Sequence, residues 1–576
     1  MEKHRFALPE VQYALFSAFF SGWMGYAAVL NFFGPGGRWP AVVFGVLLAG
    51  ALFAVPFFLH GRMATLPGAV SLWLSALAYS AVQINGNRAL EAYLSACLLM
   101  AVVTLACLPA LSGLSLPELP AHAALLVVSL SALFFFLYLS VVTVARYRAY
   151  WSPSFDFGIF VQSFWSMLHR GLPYTTLERG YDLSHFAVHF SPALYLFLPI
   201  FAIFPYPETV QIVQAAALAV SVIPLYGLCR RRSLSRWAAV VFCVLLLAYP
   251  AMTGGSMYDF HENCLLTPFL LFTVFFAESR RPVPALLFAF LTLTVKEDAA
   301  VYIAFLALYW ILSRRYPKLG GICLSLSVGW FFLACGYLNA KGLGIMDWRY
   351  SGVSETDSLF GVILAVLRNP QRVLAVCLQG DRLLFLALML FPLGFLPFFT
   401  KKVSRYILFG GLLLVNLMPN WVYQYSVDFQ YVYGSLALLF YLSVLNFSDL
   451  PRYRVRRALV VLCCAVMCVG ASARIPGQWG AVGVSVSARE TIAAMNEVVS
   501  LVPEEVSVSC TTFMAPRLAM RRECYDVSEK RETDYVVIDL RSEEWAAYSA
   551  YYRRLGYRCL RSVPGAAEVL TRLPQT

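Results

Sequence analysis

The chain has 576 residues, 60% of them hydrophobic and 13% charged, with a mean hydropathy of +0.68. A soluble domain carries roughly 25% charged residues, so the composition excludes a chain folded around one water-soluble core and points to a polytopic membrane protein. The net charge of +12 is spread over short basic clusters between apolar runs, which speaks against nucleic acid as a partner and is the pattern of cytoplasmic loops.

A helix needs about 20 apolar residues to cross a bilayer. The first run follows Lys3, His4 and Arg5 and continues to about Phe33. It is long for a signal-peptide core and shows no small-residue cleavage site, so an uncleaved first helix is expected. Apolar runs near 10–32, 41–60, 66–83 and 91–110 define an N-terminal set of transmembrane helices over residues 1–120. A membrane core over 121–474 follows, with spans near 121–144, 208–229, 237–252, 264–278, 282–295, 298–313 and 319–338. Its later spans lie near 382–400, 404–420, 428–446 and 456–473. No internal repeat of the transporter kind is visible.

Basic clusters set the expected orientation. They are Lys3 with Arg5, Arg230 to Arg232 with Arg236, Arg280 with Arg281, Arg314 and Arg315 with Lys318, Lys401 and Lys402 with Arg405, and Arg452 to Arg457. With all of these inside, the N-terminus is cytoplasmic and a large loop over 146–208 lies outside. Arg146, Arg148 and Arg474 break the pattern. The apolar run from Ala193 to Phe204, bounded by Pro192 and Pro205, is too short to cross upright and reads as an interfacial or re-entrant helix.

The tail over 475–576 is polar enough to be a separate extracytoplasmic α/β domain. Val506 to Cys510, Tyr535 to Asp539, Tyr557 to Val563 and Glu568 to Thr571 read as strands, and Glu543 to Leu555 as a helix. It holds no glycine-rich phosphate loop and no triad pattern. Of the 14 cysteines most lie in apolar runs as small packing residues. Adjacent Cys463 and Cys464 have no metal spacing, and of Cys510, Cys524 and Cys559 in the tail at most one pair bridges.

The predicted outside loops collect the unusual polar residues: Asp156, Glu178, Asp182, His185 and His189 in the first, Asp259, His261 and Glu262 in the second, Lys296, Glu297 and Asp298 in the third. Ionisable residues at membrane depth are costly and usually line a cavity or pair. Three clusters on one face of one bundle are expected to meet. Each has a plainer reading. Asp156 suits a helix cap as well as a base. His185 and His189 share one face at i, i+4 spacing, as metal ligands or as a packed pair. Asp259, His261 and Glu262 suit a metal or a solvated turn. Lys296, Glu297 and Asp298 neutralise one another at a helix end or serve chemistry. Tyr423, Tyr425, Tyr431 and Tyr433 read as an interfacial aromatic belt.

Ser154-Phe155-Asp156-Phe157-Gly158-Ile159-Phe160 with Trp165, then His189-Phe190-Ser191-Pro192, Asp259-Phe260-His261-Glu262 and Lys296-Glu297-Asp298 resemble the motifs of a prokaryotic membrane family, the domain of unknown function 2079. The resemblance spans about Leu137 to Leu450 and weakens into the tail. That family in turn is similar to the GT-C glycosyltransferases, including the protein mannosyltransferase and aminoarabinose transferase groups. Asp156 sits where those carry an acidic residue in the first large outside loop, although here it is single rather than paired. His189 to Pro192 departs in the middle from their His-Pro-Pro-like start, and Thr294 to Glu297 matches a Thr-Lys-Gly-like turn only around the lysine.

The resemblance implies a mainly α transmembrane bundle of GT-C-like architecture in the cytoplasmic membrane. It implies sugar transfer from a polyprenyl-phosphate donor to an acceptor outside. In that reading Asp156 is the base, Lys296 faces the phosphate, and His185, His189, His261, Glu297 and Asp298 bind substrate. A divalent metal would be held by Asp259 and Glu262. A lipid or solute transporter and an envelope assembly protein are the rival expectations.

Overall fold

The computed structural model describes residues 8–34, 38–58, 62–86, 90–111, 117–342, 344, 346–354, 359–450, 460, 463 and 478–572. The span expected near 456–473 falls almost wholly outside these, as do Lys3, Arg5, the basic residues at 452–457, Cys464 and Arg474.

Four helices open the chain: α1 (Leu8–Phe33), α2 (Arg38–Phe58), α3 (Arg62–Gly86) and α4 (Leu90–Leu111). A Cβ on Gly22 would sit 2.8 Å from Gly45 O, and one on Gly45 would sit 2.9 Å from Gly22 O. The α1 and α2 backbones therefore meet at two glycines, the close approach that small residues allow between helices in lipid. Leu72, Ala76, Tyr93, Cys97 and Met100 form a small core of their own, which reaches the rest of the molecule at Ala387.

The core continues with α5 (Ala121–Arg148), α6 (Ile159–Arg170), α7 (Leu198–Ile203), α8 (Pro207–Val220), α9 (Val222–Arg231), α10 (Arg236–Ala248) and α11 (Pro250–Tyr258). Then come α12 (Leu266–Glu278), α13 (Pro282–Leu293), α14 (Ala299–Leu312), α15 (Pro317–Lys341), α16 (Leu359–Arg368), α17 (Pro370–Cys377), α18 (Gly380–Leu390) and α19 (Tyr433–Asp449). Helices α8, α11, α13, α15 and α17 each begin on proline, whose fixed φ and missing N–H suit a first turn. Among the described residues eight helices are long and apolar enough to cross a membrane, counting α8 with α9 and α10 with α11 as single spans. Shorter apolar helices, α13 and α14 among them, accompany these.

Helix α19 is the centre of the bundle, buried from Tyr433 to Phe447. By contrast α5 leaves Leu125, Leu126 and Phe134 exposed, as a lipid-facing helix does. Two expected spans are not regular α-helices. Residues 404–420 form a 3₁₀ turn (Val403–Phe409) and a π turn (Leu412–Leu417). In 382–400 the helix stops at Leu390, where Pro392, a left-handed Gly394 and Pro397 follow. Proline removes a donor and clashes with the preceding turn, which breaks the run that hydropathy alone reads as continuous. The run expected to be interfacial is a 3₁₀ turn over Pro192–Leu196 leading into six-residue α7, too short to span.

The two ends of the bundle differ in charge. At one end the basic loops converge on acids. Glu278 receives Arg315 at 2.5 Å, Arg232 at 3.8 Å and the Tyr441 hydroxyl at 2.8 Å. Asp449 receives Lys402 at 2.8 Å and Arg405 at 2.7 Å. Glu118 lies 4.0 Å from Arg230 and 3.9 Å from Arg236. Glu262, Asp298 and Tyr433 stand at the opposite ends of α12, α14 and α19.

In the first large loop, β1 (Tyr174–Thr175) and β2 (Leu183–Ser184) pair antiparallel. The tail carries β3 (Val508–Cys510), β4 (Cys524–Asp526), β5 (Tyr535–Asp539), β6 (Arg558–Val563) and β7 (Ala567–Thr571) in the order β4-β3-β5-β7-β6. The first three are parallel, and β7 runs antiparallel to both β5 and β6. The helix expected at 543–555 is Glu543–Arg554. Strand β4 and the helix Arg489–Ser500 are additions to the sequence reading; β4 is three residues long and ends on an aspartate, too little for a strand signal. Cys510 and Cys524 are buried free thiols with Sγ atoms 3.7 Å apart, whereas Cys559 is exposed.

The tail is seated on the first loop. Tyr150 Oη donates to Asn496 at 2.8 Å, Gln162 Nε2 to Arg521 O at 3.3 Å, and Cys524 N to Thr176 Oγ1 at 3.0 Å. The Arg517 guanidinium stacks 4.4 Å over the Tyr147 ring.

Candidate functional site

Asp156 lies in a single π turn, Ser154–Gly158, that runs into α6. Ser154 is latched to the tail: its N–H donates to Thr512 Oγ1 at 3.1 Å, and its hydroxyl lies 2.8 Å from the same oxygen. Neither the π turn nor α6 has a side-chain cap, so the capping reading of Asp156 is not realised. The carboxylate is half-buried and has no hydrogen bond or ion pair among the described residues. Burial raises its pKa above the usual 3.8; His261 and Lys296 oppose that rise, and Glu262 and Glu178 add to it. His261, Glu262 and Lys296 belong to the other two clusters and Glu178 to its own, so Asp156 stands in the field of all three.

The histidines are held by acids. His185 Nδ1 lies 3.0 Å from Glu178 Oε2, and both side chains are buried. Burial disfavours the ionised form of each, but their attraction prevails, raising the His185 pKa and lowering that of Glu178. His185 Nε2 is buried without a hydrogen-bond partner among the described residues. The Phe160 ring touches His185, Phe260 and His261 at centroid distances of 5.1, 5.0 and 5.2 Å. His189 Nδ1 lies 2.9 Å from Glu297 Oε1, and Glu297 Oε2 accepts the Phe190 N–H at 3.2 Å. Ala193 N donates to Thr294 O at 2.9 Å. The short turn between α13 and α14 thus clamps the start of the interfacial segment at two points. Burial, aided by Lys296, pushes the His189 pKa down to about 4. Its carboxylate partner Glu297 is also penalised by burial, yet His189 and Lys296 hold it down at about 2.

In the second cluster Asp259 is an anchor. Its carboxylate accepts from Ser152 at 2.8 Å and Gln211 at 2.7 Å, and Arg146 lies 3.6 Å away. Arg146, out of place as a topology signal, is explained by this contact with the loop. Glu262, fully buried, has Lys296 Nζ 3.4 Å from Oε1 and His261 Nδ1 2.8 Å from Oε2. Burial alone would lower the Lys296 pKa, but Glu262 and Glu297 reverse the effect and keep the ammonium charged.

A cavity of about 670 Å³ opens beside this cluster. Its polar end carries His189, Lys296, Glu297, Asp298, Asp347 and Arg349. Its walls are apolar, with Val301, Phe305, Val362, Val366, Leu413 and Leu414 among them. Burial raises the Asp298 pKa to about 6 against the pull of Lys296, and its Oδ1 has no hydrogen-bond partner among the described residues.

The structure therefore brings Asp156, His185, His189, His261, Glu262, Lys296, Glu297 and Asp298 to one end of the bundle, with Asp259 behind them. Two residues were absent from the sequence reading of the site. Arg349 lines the cavity, its Nε has no hydrogen-bond partner among the described residues, and Trp348, Trp421 and Tyr431 surround its guanidinium at 5.5–5.7 Å. An arginine set between aromatics in Asp347-Trp348-Arg349-Tyr350, just past a span on the predicted outside, is the signal that could have found it. Tyr431 is buried, with Lys296 Nζ 5.6 Å over its ring. With Tyr433 fully buried and Tyr425 under Arg382 at 4.3 Å, the aromatic-belt reading holds at most for Tyr423.

Asp259 and Glu262 each have their own protein partners, in both cases including a cation. Among the described residues no group of three or more His, Cys, Asp or Glu side chains could hold a metal ion. Both carboxylates of the expected pair are thus already compensated, Asp259 by Arg146 and Glu262 by Lys296.

Fold and site define a polytopic membrane protein with a polar site at one end of its helical bundle. The chain belongs to the family described as predicted membrane protein DUF2079, which matches residues 146–559 and so takes in most of the tail as well as the core. No curated protein matches the chain. Among solved structures it is similar to ArnT from Cupriavidus metallidurans bound to undecaprenyl phosphate, at 12% identity over 78% of this chain and 99% of that one, with a TM-score of 0.47. It is also similar to the arabinosyltransferase EmbB from Mycobacterium smegmatis, at 15% identity over 62% of this chain and 34% of that one, with a TM-score of 0.33.

Proposed function

We propose that this protein transfers a sugar from a polyprenyl-phosphate donor to a hydroxyl acceptor at the extracytoplasmic face of the cytoplasmic membrane. The observation that carries the reading is the cavity. It joins apolar walls, fit for an isoprenoid chain, to a polar end where Lys296 and Arg349, whose Nε has no hydrogen-bond partner among the described residues, offer cationic donors to a phosphate. The motif resemblance supplies the reaction class. The gathering of the basic loops around Glu278 and Asp449 supports placing that end in the cytoplasm and the site outside.

In this reading the Asp156 carboxylate takes the proton of the acceptor hydroxyl. The acceptor oxygen bonds to the anomeric carbon as that carbon's bond to the phosphate oxygen breaks. The electron pair leaves on the polyprenyl phosphate, and Lys296 and Arg349 stabilise its charge. Raising the Asp156 pKa by burial brings a carboxylate closer to the operating pH, which favours a base.

Native mass spectrometry of gently purified protein tests the reading. A retained polyprenyl phosphate or its glycosylated form is expected, and is lost in Arg349→Gln and Lys296→Ala. Arg349 is the safer probe, because removing Lys296 leaves Glu262 buried without its cation. A folded protein that retains bulk phospholipid but no polyprenyl phosphate would count against the donor.

A further inference from the structure

A second cleft, of about 580 Å³, lies between the tail and the turn that carries Asp156. Phe155, Trp545, Tyr548 and Tyr551 line it together with Asp526 and Glu544. The three tail rings project from the helix Glu543–Arg554. Tyr552 on that helix is fully buried in the tail core, whereas Trp545, Tyr548 and Tyr551 are only partly covered and keep ring surface open to the cleft. Phe155 on the opposite wall is 53% exposed, an unusual place for a phenyl ring at the polar end of the molecule.

The polar groups suit a neutral ligand. Asp526 and Glu544 supply carboxylate acceptors, Thr512 and Ser528 hydroxyls, and Lys530 one ammonium. The carboxylates outnumber the cation, which disfavours a phosphate or an acidic chain. Half-open aromatic faces set among acceptors and hydroxyls recognise a polyol with an apolar C–H face, which is the chemistry of a pyranose ring. The volume falls in the range of small-molecule sites, about 300–1,000 Å³.

Position adds an independent argument. Phe155 precedes Asp156, and Ser154 is tied to Thr512 and lies 3.5 Å from Asp526 Oδ2. A ligand lying on Phe155 is thus one residue from the Asp156 carboxylate.

We infer that this cleft binds a saccharide and is the acceptor subsite of the transferase proposed above, on which the acceptor role rests. The donor lipid occupies the apolar cavity, the acceptor sugar lies over Trp545 and Tyr548, and Asp156 stands between them.

Saturation-transfer NMR on the full chain in nanodiscs tests this, with maltotetraose, cellotetraose, chitotetraose and mannotetraose as probes. At least one is expected to give a signal that falls tenfold or more in Trp545→Ala and in Tyr548→Ala and is largely kept in Trp545→Phe. Polyprenyl phosphate retention should be unchanged in all three variants, which also reports that they fold. No signal from any probe, or a signal indifferent to Trp545→Ala, overturns the cleft assignment while leaving the donor reading intact. A Trp545-dependent signal in a protein that retains no polyprenyl phosphate supports the sugar site and overturns its acceptor role along with the transferase.

Discussion

Glu297 holds His189 and the backbone beside it at once, one carboxylate oxygen 2.9 Å from the ring nitrogen and the other 3.2 Å from the amide of Phe190. Glu297→Ala leaves that amide without its acceptor and should cost about 1–3 kcal/mol of stability, with Glu297→Gln costing less. Chemical denaturation in detergent measures both.

The same carboxylate sets a pH dependence. Its pKa is lowered from 4.5 to about 2, so its contribution is fully present above pH 4.5 and is lost as pH falls towards 2. Asp259 and Asp298, both raised to about 6, act in the opposite sense between their ordinary values and pH 6. The stability difference between wild type and Glu297→Gln isolates the first effect. It should shrink as pH falls below 4.5, and a difference constant from pH 6 to 3 would count against the pairing.

Asp156→Asn should abolish sugar transfer and leave melting temperature and lipid retention within error. Because burial raises this carboxyl above 3.8, the base form is lost at a higher pH than for an exposed aspartate. The acid limb of kcat/KM should therefore have its midpoint above the ordinary aspartate value of 3.8. Activity assays across pH with both proteins decide the point, and full transfer by the asparagine variant would remove Asp156 from the base role.

A Cβ at Gly342 would run into the carbonyl oxygen of Ala187, in the turn between His185 and His189. Gly342→Ala should cost about 1–3 kcal/mol, as overpacking does. It should also lower transfer more than a remote substitution of equal cost, since the turn that holds both histidines must move. Thermal melting and turnover measured together separate the two effects.

Cys559 reports on topology without an introduced label, because the other described cysteines are buried. A membrane-impermeant maleimide should modify it in intact cells and fail to do so in Cys559→Ser. Modification that appears only after permeabilisation would place the tail inside and reverse the proposed orientation.

The clusters at the span ends were legible because ionisable side chains stand out in an apolar chain and must find partners. Asp156, Glu262 and Lys296 were visible for that reason, although their meeting point was not. The 3₁₀ and π geometry of Val403–Leu417 was not visible, since hydropathy does not distinguish it from an α-helix. Arg349 was missed because a basic residue in a loop reads as a topology marker, and Tyr431 because an aromatic near a span end reads as a lipid anchor. Both gain their roles from the 3₁₀ turns Asp347–Tyr350 and Gln430–Val432, which line the cavity.

The hydrogen bond from Ser154 to Thr512 joins residues 358 positions apart in the chain. During synthesis the turn bearing Asp156 emerges early, and its latch is made only after nearly every described span is already in the membrane. A nascent or carboxy-terminally clipped chain would keep the apolar cavity and lack the ordered wall opposite. On the transferase proposal, truncation before Thr512 should yield a protein that still binds donor and transfers nothing.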